Sequence, residues 1–239
     1  MNILILATLI FLGFFIQTVS GFGSNLIILS IGILFFDFYD ILPVVLIFNI
    51  IMCSYILIKY YKYLDIKFIL KHIISFMGTG FIIGLFIANH IKDLSININK
   101  LLSILILSLS LFELSLLIRK KNIQIKNKTF GNLWIFISGI IHAIFATGGP
   151  FLVYGISHLN IDKTKFRISL MFIWLVFNSI LLHSSSFNLE HIKLSLYLIF
   201  ILPLSIWLGQ YVHYKISLER FHILIRIILI ISSIIVIIK

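Results

Sequence analysis

Two short stretches of this sequence could hold a ligand without any charged side chain. One is Ser20-Gly21-Phe22-Gly23-Ser24-Asn25, inside an apolar run from Met1 to Phe36; the other is Thr147-Gly148-Gly149-Pro150, inside a second such run. Glycine weakens a helix and proline cannot continue its hydrogen-bond ladder, so each stretch predicts a helix–break–helix element. A new half-helix is expected to begin near Asn25 and another near Phe151. Each presents unpaired N–H groups and the positive end of its dipole, a combination that binds anions. Gly21, Gly23, Gly148 and Gly149 leave the backbone approachable, while Ser20, Ser24 and Thr147 add hydroxyl donors. The competing reading is that these small residues only let helices pack closely. Two breaks at matching places favour the anion site.

Other polar residues stand alone in apolar surroundings. Asn49 and Asn178 each follow a Leu-x-Phe segment within a span. An amide in hydrocarbon must find partners, so both are expected to face the protein interior. They either donate to a substrate or tie a broken helix to its neighbour, and both readings stand. Glu113 and Arg226 are candidates because they are ionisable groups inside apolar runs, although Glu113 could pair or snorkel near Arg119. Arg167 reads as a topology determinant and His142 as a packed, neutral histidine. No His-Glu-x-x-His, lysine-bearing phosphate loop or Gly-x-Ser-x-Gly elbow is present, so no enzyme, metal site or cofactor is expected.

The elements that must position these residues are hydrophobic helices. The chain of 239 residues is 61% hydrophobic and 11% charged, with mean hydropathy +1.16. So few charges cannot cover a water-soluble surface, which leaves lipid as the outer solvent. Uncharged runs recur along the whole length, unlike a secretory signal followed by a polar domain. The net charge of +11 comes from connectors between spans, where topology and anionic headgroups account for it. Nucleic acid is therefore not an expected partner. Cys53 is the sole cysteine, so no internal disulfide is possible.

Eight hydrophobic segments follow, at 3–36, 41–58, 68–89, 98–118, 132–158, 168–183, 192–212 and 221–238. The first is too long for one crossing: at ~1.5 Å per residue it would reach about 50 Å, against a ~30 Å hydrocarbon core. The halves also resemble each other. Leu46-Ile47-Phe48-Asn49 matches Leu175-Val176-Phe177-Asn178, the two breaks are in register, and Gly84 falls opposite Gly209. Charge then orients the chain. If each broken element is a hairpin returning to its own side, fifteen basic residues share one face and four the other. If each crosses once, the split is eleven to eight. The positive-inside rule favours the first arrangement, with both termini outside and the halves inverted.

At the breaks the sequence resembles the sulfite exporter TauE/SafE family of membrane transporters. The resemblance rests on Ser20-Gly21-Phe22-Gly23-Ser24-Asn25-Leu26-Ile27, on the stretch Ser138 to Leu152 containing His142 and Thr147-Gly148-Gly149-Pro150, and on Asp162-Lys163, Phe166-Arg167 and Phe177-Asn178. It implies a polytopic plasma-membrane carrier of sulfite, sulfonates or related sulfur anions. The expectation is thus an all-α polytopic membrane protein, a single transmembrane domain built of one repeat over 1–120 and an inverted one over 130–239. It would sit in the plasma (inner) membrane as a secondary transporter, alone or as a homo-oligomer, with the bilayer and a small anionic solute as partners. The substrate site would comprise Ser20, Gly21, Gly23, Ser24, Asn25, Asn49, Thr147, Gly148, Gly149, Pro150 and Asn178. An intramembrane enzyme or a non-transporting assembly subunit is the alternative.

Overall fold

The computed structural model describes residues 2–94, 96–118, 128–156, 163–185 and 187–213, with 234, 237 and 238. Among these the regular structure is entirely helical. That follows from the composition, because a backbone in lipid must satisfy its own hydrogen bonds and a helix does so within one segment. The helices are α1 (Ile3–Ser20), α2 (Ser24–Gly32), α3 (Phe38–Tyr60), α4 (Ile66–Ile69), α5 (Ser75–Asp93), α6 (Ile98–Ile118), α7 (Lys128–Phe145), α8 (Gly149–Ile156), α9 (Lys163–Ser184), α10 (Leu189–Leu198) and α11 (Ile201–His213). A π-helical turn, Leu70–Ile74, joins α4 to α5.

Among the described residues, three helical stretches are long and apolar enough to cross a membrane, Ile3–Ser20, Phe38–Tyr63 and Thr164–Ser184. The pair α10–α11, bent by 52°, makes a fourth if taken as one span. The other segments expected up to 212 coincide with helices, while 221–238 lies almost wholly outside the described residues. So do the connector Arg119–Asn127, which carries much of the charge asymmetry, and Arg226. Glu113 falls on α6, but its side chain is outside the described set as well.

Both expected breaks are present, and their geometry is specific. Gly21 closes α1 in the left-handed region (φ +91°), with its N–H on Gln17 O at 2.7 Å. Ala146 closes α7 in the same way, at φ 56°, with its N–H on His142 O at 2.7 Å. This is the αL helix stop. Glycine takes that conformation freely; alanine takes it against its Cβ. Pro150 plays a different part from the one its chemistry suggested: it sits in the first turn of α8, where a missing N–H costs nothing, and it opens that helix.

After each break the chain folds back. In α1–α2, Gly13 faces Ile28 and Gly32 faces Leu9. In α7–α8, Gly148 faces Ser138 and Gly155 faces Ile135 and Gly131. The half-helices therefore run antiparallel to their partners, as hairpins. Around them α3 packs on α9, α1 on α11 and α5 on α7. Glycines set the closest approaches. A Cβ on Gly80 or Gly139 would strike the carbonyl oxygen of Phe136 or Met77, one on Gly84 would lie 2.7 Å from Ile140 O, and one on Gly209 2.9 Å from Phe15 O. Small residues of this kind drive helix association where lipid removes the hydrophobic incentive. The outward surface keeps large apolar side chains such as Leu4, Ile58, Phe86 and Phe200 exposed.

Candidate functional site

Six buried polar side chains gather where the two hairpin tips meet. Gln17 comes from the last turn of α1, Ser24 and Asn25 from the first turn of α2, Asn49 from the middle of α3, His142 from the last turn of α7, and Asn178 from α9. The Asn49 amide nitrogen lies 3.1 Å from Gln17 Oε1, 3.0 Å from Ser24 Oγ and 3.0 Å from Asn25 Oδ1. The Ser24 hydroxyl donates to Gln17 Oε1. Across the tips, Asn25 Nδ2 donates to Ala146 O at 3.0 Å and stands 3.5 Å from Asn178 Oδ1. His142 Nε2 lies 3.1 Å from the same Asn178 oxygen, which puts its proton on Nε2. One network thus joins both tips through α3 and α9.

Within this network is a cavity of about 20 Å³, walled by Gly23, Asn25, Asn49, Thr147, Gly149, Pro150 and Asn178, with Gln17, Phe22, Leu26, His142, Ala146 and Trp174 completing it. The wall carries no Asp, Glu, Lys or Arg. Helix geometry leaves the N–H groups of Ser24, Asn25 and Leu26 without an acceptor inside α2, whose first internal bond is Ile27 N to Gly23 O. In α8 the first such bond is Leu152 N to Gly148 O, leaving Gly149 and Phe151. Three buried polar atoms of the wall have no partner: Thr147 Oγ1, Asn178 Nδ2 and His142 Nδ1. Buried polar groups are normally satisfied, so such a cluster marks a place where a solute completes the bonding.

The remaining sequence candidates lie beside the cavity. Ser20 turns its hydroxyl back to Ile16 O (2.8 Å) and Phe22 O (2.7 Å), holding the first break in shape. The Gly21 carbonyl accepts from Trp174 Nε1 at 3.1 Å. The Gly148 carbonyl accepts from Ser138 Oγ at 2.8 Å, and Gly148 packs on the α7 backbone. Arg167, read from sequence as a topology determinant, points inward: it is 5% exposed, and its Nη1 donates to Thr18 O at 3.3 Å. Gln17, Trp174 and the role of His142 were not among the expected site residues. A signal for two of them was there. Gln17 precedes Gly21 by one helical turn, as His142 precedes Ala146, and each is a large polar side chain within an apolar run.

The sequence model of the family described as sulfite exporter TauE/SafE matches residues 5–236. The chain belongs to this family. No curated protein and no solved structure gives a significant match. Membership of TauE/SafE makes the chain a multi-pass membrane protein of a transporter family, consistent with its apolar helices and with the expectation that it is not an enzyme. The match spans both hairpins and every residue of the cavity wall.

Proposed function

We propose that this TauE/SafE protein is a secondary carrier in the plasma membrane for a small sulfur oxyanion, sulfite or a sulfonate, bound between the two hairpin tips. The observation that carries this reading is the cavity between two helix N-termini, with unpartnered polar atoms and no charged side chain among its lining residues. Backbone N–H groups, Thr147 Oγ1 and Asn178 Nδ2 replace the hydration of the anion, and the helix dipoles offset its charge. Gln17, Ser24 and Asn49 are tied to one another and set the frame. A cavity of about 20 Å³ accommodates one water, not an oxyanion of four heavy atoms. The tips must therefore part to admit substrate, which is the behaviour of an occluded site in an alternating-access carrier.

Two inverted repeats are the architecture that best fits this motion. Gln17 bonds Asn49 as His142 bonds Asn178, with Gln17 and His142 lying 125 residues apart and the asparagines 129. Gly84 on α5 meets Ile140 and Ala143 of α7; Gly209 on α11 meets Phe15 and Thr18 of α1, every pair again 125 apart. The charge distribution favours both termini outside. A reporter active only in the cytoplasm, fused after Lys239, is expected to stay silent. Strong activity would reverse the orientation.

Binding is tested on purified protein by thermal unfolding. Sulfite at ~100 times its dissociation constant should stabilise the fold by roughly 2.7 kcal/mol; dimethyl sulfoxide, pyramidal but neutral, should not. Thr147→Ala and Ser24→Ala should each weaken binding by about 0.5–1.5 kcal/mol. Thr147→Ala should do so without lowering the melting temperature of the ligand-free protein, since its hydroxyl has no partner to lose. Equal stabilisation of wild type and both variants would place the anion elsewhere. Counterflow of labelled sulfite in proteoliposomes separates a carrier from an intramembrane enzyme or an assembly subunit, because only a carrier exchanges solute across a sealed bilayer.

A further inference from the structure

We propose that in this conformation the closed site is approached from the face bearing Lys92, where a vestibule stops short of it, and that Arg167 is the gate of the other face; the inference rests on the carrier reading above. A second cavity, about 250 Å³, lies at the end of the bundle where α3 begins and α5 and α9 end. Phe38, Asn89, Lys92 and Ser184 line its sides, and Ala143 and Ile144, at the tip of the second hairpin, are also in its wall. Ala143 adjoins His142, and Leu181 in the same wall is one turn from Asn178. Little more than one layer of side chains therefore separates this vestibule from the anion site. Lys92 stands at its border, 5.7 Å over the Tyr39 ring.

Among the described residues, the corresponding place at the opposite end of the bundle holds Arg167. Thr18 and Gly21 stand 125 residues before Ala143 and Ala146, and Arg167 stands 129 after Phe38. Where Phe38 borders an open cavity, Arg167 lies across the first tip. Its Nη1 is on Thr18 O at 3.3 Å, its Cγ would be 3.1 Å from a Cβ on Gly21, and its guanidinium is 5.6 Å from the Tyr60 ring. The cation rests on the carbonyl end of α1, where the helix dipole attracts it. An oxyanion moving out of the centre offers the guanidinium a charged, two-oxygen acceptor that competes with the Thr18 carbonyl. Passage of the anion thereby loosens the gate.

Cysteine labelling in oriented proteoliposomes reads this directly, with the anionic reagent 2-sulfonatoethyl methanethiosulfonate as probe and buried Cys53 as the unreactive background. Leu181→Cys is expected to react from the face bearing Lys92 and not from the face bearing Lys62. Thr18→Cys is expected to be inert from both. Arg167→Ala, by removing a hydrogen bond from a charged donor, should speed labelling of Thr18→Cys from the Lys62 face about tenfold. Tyr60→Leu should act in the same direction and guards against misfolding of the arginine variant. An inert Leu181→Cys, or a Thr18→Cys indifferent to both variants, overturns the gate even if sulfite exchange persists. The expected labelling without sulfite exchange upholds the gate and rejects the substrate instead.

Discussion

Gly149→Leu is expected to abolish sulfite exchange while leaving the protein folded and inserted. Gly149 opens α8, and its φ is not among the positive ones, so the backbone accepts an L side chain without strain. The obstruction is one of space. A Cβ there would lie 3.1 Å from Phe22 Cδ2 and 3.4 Å from Phe22 Cβ, on the opposing tip. Phe22 is only half-buried and can yield to a methyl group, so Gly149→Ala should retain part of the activity. An isobutyl group must instead occupy the cavity, whose volume is about 20 Å³. Exchange assayed beside size-exclusion chromatography of the same preparation decides the matter. Wild-type exchange by the leucine variant would mean that substrate does not pass between the tips.

A larger loss, of the fold itself, is expected from Gly139→Leu. The Cβ would collide with Met77 O and come within 2.7 Å of Phe81 N. Both atoms are backbone, so no rotamer change relieves the clash. Overpacking by a few methylene groups costs about 1–3 kcal/mol even where side chains can adjust. Here α5 and α7 must separate, and the approaches of Gly80 to Phe136 and Gly84 to Ile140 are lost with them. Gly139→Ala should already lower the melting temperature, and the leucine variant should not yield monodisperse protein. A leucine variant that melts with the wild type would show that the helices have room this geometry does not give them.

The breaks were legible because glycine and proline act locally. α2 begins at Ser24 and α8 at Gly149, within two residues of where the sequence placed them. Asn49 and Asn178 were legible because an amide in an apolar run has few places to go. What periodicity could not supply was direction around a helix that is apolar on every side. Gln17 and Ser20 lie within one turn of each other, yet one enters the network and the other bonds its own break. Arg167 misled for a related reason. Its neighbours Lys163 and Lys165 look like a headgroup-facing cluster, and only the fold shows that the third cation of the run turns under α3. Whether each broken element crossed or returned was hinted at by charge, but the evidence for return is the close packing of Gly13 on Ile28.

The glycine contacts of α5 with α7 and of α11 with α1 have a consequence for how the chain holds together. Each hairpin leans on a helix belonging to the other half, so neither half can bury its own hairpin without borrowing from its counterpart. The two are interlocked by reciprocal exchange, and cohesion lies in those crossed contacts rather than in the peptide that connects them. The covalent link between α6 and α7 then fixes stoichiometry, guaranteeing one copy of each half per molecule.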